Sequence, residues 1–184
     1  PLDFLPDNPY TRIMERIHII IGFIIFIVFA SAAAADSSLT TEERIVALTL
    51  LGEARGESEI GVYGVACVIQ KRAAQRKLTP AQVCLQPWQF SIWNAGKGKV
   101  KKESELDYLW DSKCIIVRYA KLVAKSICAN QQLNHAWVGD ANHYYSTDIS
   151  PPYWTFKKVI KNGREVKVPI KPVAKIGKHV FYKL

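Results

Sequence analysis

The stretch ERIVALTLLGEARGE, residues 43–57, carries glutamates directly after an apolar run. Thr40 and Glu43 have the spacing of a capping box, which predicts that a helix begins after Thr40. Glu53 falls on the last turn of this helix, before Gly56, which is a plausible terminator. The side chains that recur at helical spacing form a wide, mostly apolar stripe: Ile45, Val46, Leu48, Thr49 and Leu50. The pattern therefore predicts a helix that presents the Glu53 carboxyl group at the edge of its apolar face.

Two interpretations of Glu53 follow from this position. A carboxyl group at the edge of an apolar face is desolvated, so it stays protonated near neutrality and can act as a general acid on a glycosidic oxygen. The alternative is a structural salt bridge, for instance with Arg55 or Arg72, and the position alone favours neither. Glu57 lies four residues further on, where it could tune Glu53 or position a water molecule. Glu59 is expected to be exposed.

The rest of the chain predicts an α+β fold that is mainly α. Further helices are expected from Ile60 to Arg76, after the Thr79 cap and Pro80, and from Ser104 to Ala129. Alternating residues around Asn162-Gly163 predict a β-hairpin, and VAKIGKHVFYKL could add one short strand. We therefore expect one mainly α-helical domain over residues 38–184, with a small β-hairpin near the C-terminus.

Residues 1–35 have the layout of a signal peptide or signal anchor. Arg12 and Arg16 precede the apolar run HIIIGFIIFIVF, and SAAAAD follows with small residues that suit cleavage. The apolar segment from Ile17 to Ala35 is also near the length that spans a bilayer. The segment predicts an exported protein of the periplasm or cell envelope, either released by cleavage or anchored through this segment.

The chain is strongly basic, with a net charge of +9 and a pI of about 9.4. This charge favours an anionic partner, namely nucleic acid, an anionic membrane or an anionic wall polymer, although a solvated basic surface explains it equally well. Nucleic acid is the weakest of these, because no nucleic-acid-binding motif is present. The four cysteines lack metal-ligand spacing, so we expect no metal and no cofactor, while one disulfide remains open.

Two segments combine aromatic rings with polar side chains, as sugar-binding sites do. The first contains Gln86, Trp88, Gln89, Phe90 and Trp93, and the second contains Asn142, His143, Tyr144 and Tyr145. Rings can cover the apolar face of a pyranose while amides bond its hydroxyl groups. The alternative is packing in the core, which is the better interpretation for Phe90 than for Trp88 or Trp93. A metal site that includes His135 and His143 is only weakly indicated.

Most glycosidases use two carboxyl groups, and the sequence shows no obvious second one. Asp140 and Asp148 are candidates, although both lie among turn residues, where aspartate commonly caps loops.

Five blocks of the sequence, in order, resemble the SleB-type cell wall hydrolases, the family of the spore cortex-lytic enzyme catalytic domain. The blocks are LTLLGEARGE, VYGVACVIQKR, QPWQFSIWN, ANHYYSTDISPPYW and KIGKHVFY, and they cover nearly all of the chain from Leu39 to Tyr182. Members of this family resemble lytic transglycosylases of the lysozyme superfamily and act on the glycan strands of peptidoglycan. The resemblance therefore implies a lysozyme-like helical domain, expected to be a monomer.

The resemblance also implies roles for individual residues. Glu53, the first glutamate of GEARGE, becomes the catalytic acid and base for cleavage of the MurNAc-GlcNAc bond. In a lytic transglycosylase this single glutamate suffices, because the C6 hydroxyl of the muramic acid attacks and a 1,6-anhydro sugar forms. The residues expected to bind substrate are Glu57, Gln89, Phe90, Asn142, His143 and Tyr144.

Two alternatives remain open at this point. One is a hydrolytic muramidase that uses Glu53 with Glu57 or an aspartate, and the other is a non-catalytic peptidoglycan-binding envelope protein. Two lysine-rich segments do not map onto the family core: residues 97–102, and FKKVIKNGREVKVPIKPVAK, which precedes KIGKHVFY.

Overall fold

The computed structural model describes residues 38–54, 56–110 and 114–184. Its α-helices are α1 (Thr41–Ala54), α2 (Glu59–Arg76), α3 (Pro80–Leu85) and α4 (Ile115–Cys128). Short 3₁₀ helices occupy Ser91–Trp93, Glu103–Leu109, His135–Trp137 and Tyr153–Thr155. The strands are β1 (His143–Ser146), β2 (Phe156–Lys161), β3 (Arg164–Pro169), β4 (Ala174–Ile176) and β5 (His179–Tyr182).

Helix α1 is the centre of the core. It packs against α2, α3 and α4, and its residues from Val46 to Leu51 are fully buried. Its start follows local chemistry: the Glu43 side chain accepts from the Thr40 N–H at 2.8 Å, and the Thr40 hydroxyl accepts from the Glu43 N–H at 3.3 Å. The predicted capping box is thus confirmed. Because the middle of α1 is buried against its neighbouring helices, its C-terminal end, which carries Glu53, has a fixed direction.

The helix predicted from Ser104 to Ala129 is wrong in its first half. The chain forms the 3₁₀ helix Glu103–Leu109 instead, and α4 begins only at Ile115. Arg44 of α1 forms an ion pair with Glu103, and its guanidinium lies 5.3 Å from the ring centroid of Trp110. These tertiary contacts hold the segment against α1, and they outweigh the local helical periodicity.

The strands of the described residues form two separate antiparallel sheets. One has the order β1-β5-β4, and the other is the β2-β3 hairpin, whose turn residues Asn162 and Gly163 have φ angles of 51° and 74°. The predicted hairpin is confirmed, because two positive φ angles are what a type I′ turn requires. The sequence did not predict β1, and the C-terminal segment supplies two strands rather than one. The prediction of an α+β fold that is mainly α is confirmed.

The two faces of the three-stranded sheet pack against different parts of the chain. On the inner face, Phe181 packs so closely on α2 that a Cβ atom at Gly64 would lie 2.8 Å from its ring. On the outer face, Trp154 packs against His143, Tyr145 and Tyr182, with ring centroids 5.3–6.1 Å apart. Strand β1 is therefore held from both sides, and alternate residues point to opposite faces.

The predicted localisation needs correction. None of the helices in residues 38–54, 56–110 and 114–184 is long and apolar enough to cross a membrane. On this finding the predicted anchoring through a membrane-spanning segment is wrong for the part of the chain that the structure describes. The segment on which that prediction depended, residues 1–35, lies outside the described residues. The four cysteines are free thiols, so the disulfide left open above does not form.

Candidate active site

Glu53 lies at the end of α1 and accepts three hydrogen bonds from residues that the structure describes. Its Oε1 atom accepts from the Ser91 hydroxyl at 3.0 Å and from the Ile92 backbone N–H at 3.2 Å. Its Oε2 atom accepts from the Tyr144 hydroxyl at 3.0 Å. The side chain is partly buried, and among the described residues no basic group forms an ion pair with it. Neutral donors thus hold the carboxyl group, which leaves the salt-bridge interpretation without support from Arg72.

The loop that supplies Ser91 and Ile92 is fixed directly to α1. The Trp93 indole N–H donates to the Thr49 hydroxyl at 2.7 Å, and that hydroxyl donates to the Ile45 carbonyl at 2.8 Å. The Trp93 ring is buried, so this residue belongs to the core rather than to a sugar-binding surface. Its position holds the two donors beside Glu53.

Gly52 provides the space into which Ile92 packs. A Cβ atom at this position would lie 2.3 Å from Ile92 Cγ1 and 2.6 Å from Ile92 Cβ. No side chain can occupy that space unless Ile92, and the N–H that it donates to Glu53, move away.

We expect Gly52→Ala to lower both stability and activity. The displacement of Ile92 should cost about 1–3 kcal/mol of unfolding free energy, as overpacking does. Loss of its hydrogen bond to Glu53 should lower kcat about tenfold. Thermal melts and initial lysis rates measure the two effects. The matched control is Gly56→Ala, because a Cβ atom there meets nothing within 4 Å. Adding Ile92→Ala to Gly52→Ala should recover part of the lost stability, because the smaller side chain leaves room for the new Cβ atom. Equal losses in Gly52→Ala and Gly56→Ala would show that the contact with Ile92 is not the cause.

Tyr144 approaches Glu53 from the inner face of the three-stranded sheet. Its ring packs edge-on to His179, with centroids 5.0 Å apart, and lies 5.8 Å from the ring of Phe181. Burial, and then the nearby charge of Glu53, raise the pKa of Tyr144 well above its usual value. The Tyr144 hydroxyl therefore keeps its proton and remains a hydrogen-bond donor to Glu53.

A buried arginine lies close to this pair. Arg72 of α2 donates from Nε to the Asn142 carbonyl at 2.8 Å, and its guanidinium lies 5.4 Å from the ring centroid of Phe90. Burial lowers the pKa of Arg72, while the nearby charge of Glu53 acts in the opposite direction. Phe90 and Asn142 are themselves buried, so they support the site from beneath.

Glu57 does not contact Glu53 through a hydrogen bond. Its carboxylate accepts from the Lys178 backbone N–H, at 3.2 and 3.3 Å, and fills the space above Gly177. A Cβ atom at Gly177 would lie 1.7 Å from Glu57 Oε2. The contact ties the start of α2 to the turn between β4 and β5. Glu59 is exposed, as the sequence predicted.

Gln89 and His143 both lie near Arg76. Gln89 Oε1 accepts from Arg76 at 2.8 Å, and His143 Nδ1 is 2.9 Å from the Asn142 side-chain oxygen. Burial, together with the charges of Arg72 and Arg76, lowers the pKa of His143 to about 4, so its ring is neutral at pH 7. Trp88, next to Gln89, is 67% exposed.

The two aspartates considered as second carboxyl groups are both paired with lysines. Asp140 lies 3.0 Å from Lys71 and 2.9 Å from Lys183, which lower its pKa to about 2. Asp148 lies 3.0 Å from Lys178, which also lowers its pKa. Both groups are therefore ionised and engaged at the surface.

Of the predicted site residues, the structure brings Glu53 and Tyr144 into direct contact, and it adds Ser91 and the Ile92 N–H, which sequence reasoning missed. Ser91 lies within the block QPWQFSIWN, but a serine among aromatic residues gives no signal of its own. A backbone N–H gives none at all. Across the described residues no group of three His, Cys, Asp or Glu side chains could hold a metal ion.

Comparison with known proteins gives one family and two solved structures. The family model described as cell wall hydrolase matches residues 56–182. The catalytic domain of Bacillus cereus SleB is 21% identical, with 80% of this chain and 94% of that chain covered and a TM-score of 0.49. The catalytic domain of the germination-specific lytic transglycosylase SleB from Bacillus anthracis is also 21% identical, with 80% and 98% covered and a TM-score of 0.48. No curated protein matches the chain.

Proposed function

The chain belongs to the cell wall hydrolase family and is a peptidoglycan-degrading enzyme, and we propose that it is a lytic transglycosylase in which Glu53 is both acid and base. The bond cleaved would be the MurNAc-GlcNAc glycosidic bond. The observation that carries the proposal is the set of neutral donors around the Glu53 carboxyl group: the Ser91 hydroxyl, the Ile92 N–H and the Tyr144 hydroxyl.

The resemblance to SleB-type cell wall hydrolases, drawn from the sequence blocks, is confirmed by the family match. That match begins at residue 56, three residues after Glu53. The role of Glu53 therefore depends on its surroundings in the structure rather than on the matched region.

The first step requires a proton on Glu53, and the geometry favours Oε2 as its position. The Ile92 N–H points at Oε1 and, unlike a hydroxyl group, cannot rotate to become an acceptor, so Oε1 is held as the unprotonated oxygen. Oε2 then transfers its proton to the glycosidic oxygen while the bond from that oxygen to C1 of MurNAc breaks. The three donors stabilise the carboxylate that forms.

In the second step the Glu53 carboxylate accepts the proton of the C6 hydroxyl of the same MurNAc. The O6 atom then bonds to C1 and closes a 1,6-anhydro ring. Glu53 regains its proton, so no water and no protein nucleophile is consumed. The C6 hydroxyl is held on the reacting sugar itself, which makes this attack effectively unimolecular.

A hydrolytic muramidase is the second candidate, and the other carboxyl groups do not favour it. Glu57 is occupied by the Lys178 N–H, and Asp140 and Asp148 are paired with lysines. A group of this kind would have to leave its partners before it could activate water or attack C1. One glutamate without a free carboxylate partner fits the intramolecular reaction better.

We assign the remaining predicted residues by their surroundings. Trp88 is exposed beside Gln89, which supports a contact of this ring and this amide with glycan. His143, whose ring is neutral, is a further candidate for a polar contact. Phe90 and Asn142 would act indirectly, because both are buried and hold Arg72 in position. Glu57 would also act indirectly, by holding the turn at Lys178.

Product analysis separates the two reactions. Purified peptidoglycan is digested and the soluble muropeptides are analysed by mass spectrometry. We expect glycan ends in the anhydro form, lighter by one water than hydrolytic ends. Reducing MurNAc ends as the main product would instead support the muramidase.

A further inference from the structure

The β2-β3 hairpin stands apart from the core. It forms its own two-stranded sheet, and only Val159 and Val168 among its strand residues are partly covered. Ile160 is 71% exposed. An isolated two-stranded sheet is marginally stable in water, so its sequence is not explained by packing.

We name residues 156–171 the basic hairpin, because they contain six basic residues and one acidic residue, Glu165. The segment thus holds a net charge of +5 out of the +9 of the whole chain. The six basic residues are Lys157, Lys158, Lys161, Arg164, Lys167 and Lys171. Lys158 pairs with Glu165 at 2.8 Å. None of the other five forms an ion pair with any described residue.

The strand register places like charges directly opposite each other. Lys158 lies opposite Lys167, and Lys161 lies opposite Arg164. Like charges in facing positions destabilise a hairpin, and only Lys158 has a compensating acidic neighbour. An anionic polymer along the hairpin would remove this repulsion, which indicates a surface built for binding rather than for stability.

The basic hairpin is attached to the sheet that carries the active-site tyrosine. The Ile170 N–H donates to the Thr155 carbonyl at 2.8 Å and closes the base of the hairpin. Trp154, next to that base, packs on His143 and Tyr145, the neighbours of Tyr144 in β1. The hairpin is about 20 Å long. A polymer bound along it would therefore lie next to the sheet that positions Tyr144.

We propose that the basic hairpin binds the free carboxylates of the peptide stems of peptidoglycan and so holds the substrate at the active site. This inference rests on the proposed function, since it takes the enzyme's own substrate as the occupant. The positive charge of the basic hairpin is complementary to the negative charge of the stem carboxylates, which are spaced along the glycan strand. The sugars of the strand themselves present few charges. Alternate residues of one β-strand lie about 6.6 Å apart, so several stem carboxylates can be met by one hairpin.

The test compares two triple variants in an inactive Glu53→Gln chain, so that the polymer survives the measurement. The first is Lys161→Gln, Arg164→Gln, Lys167→Gln in the basic hairpin. The second, the matched control, is Lys77→Gln, Lys97→Gln, Arg118→Gln, which removes the same three charges elsewhere. Binding is measured by co-sedimentation with purified peptidoglycan at low salt. We expect the hairpin variant to bind about tenfold more weakly and the control to change less than about twofold. Thermal melts of both variants verify folding.

Chemical treatment of the polymer identifies the anion. Amidation of the stem carboxylates should reduce binding of the unmodified hairpin to that of the hairpin variant, while removal of wall phosphate polymers should leave it unchanged. Equal losses in the two triple variants, no loss in either, or dependence on the phosphate polymers would each overturn the proposal. Lysis by the wild-type chain is scored separately, so failure of the enzymatic function is distinguishable from failure of this binding.

Discussion

Glu53→Gln should abolish lysis of purified peptidoglycan, with a fall in rate of about 10³-fold or more. Glutamine can neither give nor accept the proton that the reaction moves twice, and general acid-base catalysis by one residue contributes on the order of 10²–10⁴-fold to a rate. The measurement is the initial rate of turbidity loss. Because the amide oxygen can still accept from the Ser91 hydroxyl and the Ile92 N–H, the loop should stay in place.

Two controls separate chemistry from folding in this variant. The melting temperature and the affinity for intact peptidoglycan should match those of the wild type. Glu59→Gln, an equivalent change at an exposed glutamate six residues away, should leave the lysis rate within about twofold, because surface substitutions rarely exceed about 0.5 kcal/mol. Residual lysis above one tenth of the wild-type rate in Glu53→Gln would show that another group supplies the proton.

Tyr144→Phe should lower kcat about 10-fold to 100-fold with little change in KM. The hydroxyl donates to Glu53 Oε2 at 3.0 Å, and a hydrogen bond to a charged group contributes about 1.5–3 kcal/mol. That energy acts on the carboxylate formed during the reaction rather than on substrate binding, so the loss belongs in kcat. Tyr144 is thus a positioning residue. Steady-state kinetics on soluble glycan fragments measure the split between the two constants.

Tyr145→Phe is the matched control for this change. Tyr145 is the next residue of β1 and points to the opposite face, where its ring packs against Trp154 and Tyr182. The loss of its hydroxyl should leave kcat within about twofold, since Tyr145 lies on the face opposite to the one from which Tyr144 contacts Glu53. If both variants lost activity equally, or if Tyr144→Phe raised KM alone, Tyr144 would not act through Glu53.

The sequence predicted best those features that local chemistry decides. The Thr40 capping box begins α1, and Asn162-Gly163 adopts the positive φ angles of the hairpin turn, each from a few neighbouring residues. The helix expected from Ser104 failed because Arg44, far away in the chain, holds Glu103 and Trp110 in another conformation. Periodicity reports which side chains are apolar, but it does not report such distant contacts.

The candidate site shows the same difference between features that neighbouring residues decide and contacts between residues far apart in the chain. The pattern of α1 identified Glu53 as an awkwardly placed carboxyl group, and the resemblance to a family of enzymes gave it a role. Tyr144 was expected at the site only from that resemblance. The hydrogen bonds of Ser91 and Tyr144 to Glu53 could not be predicted, because these residues lie 38 and 91 positions away in the chain. Trp93 shows the reverse error: an aromatic residue in a polar loop suggested sugar binding, yet its ring is buried and its N–H reaches Thr49.

We propose that Glu53 catalyses the intramolecular closure of an anhydro ring. The most direct measurement is mass spectrometry of the muropeptides released from purified peptidoglycan by the wild-type chain and by Glu53→Gln. We predict 1,6-anhydro ends from the wild type and no release above the enzyme-free control from Glu53→Gln. Reducing ends from the wild type, or anhydro ends that persist in Glu53→Gln, would contradict it.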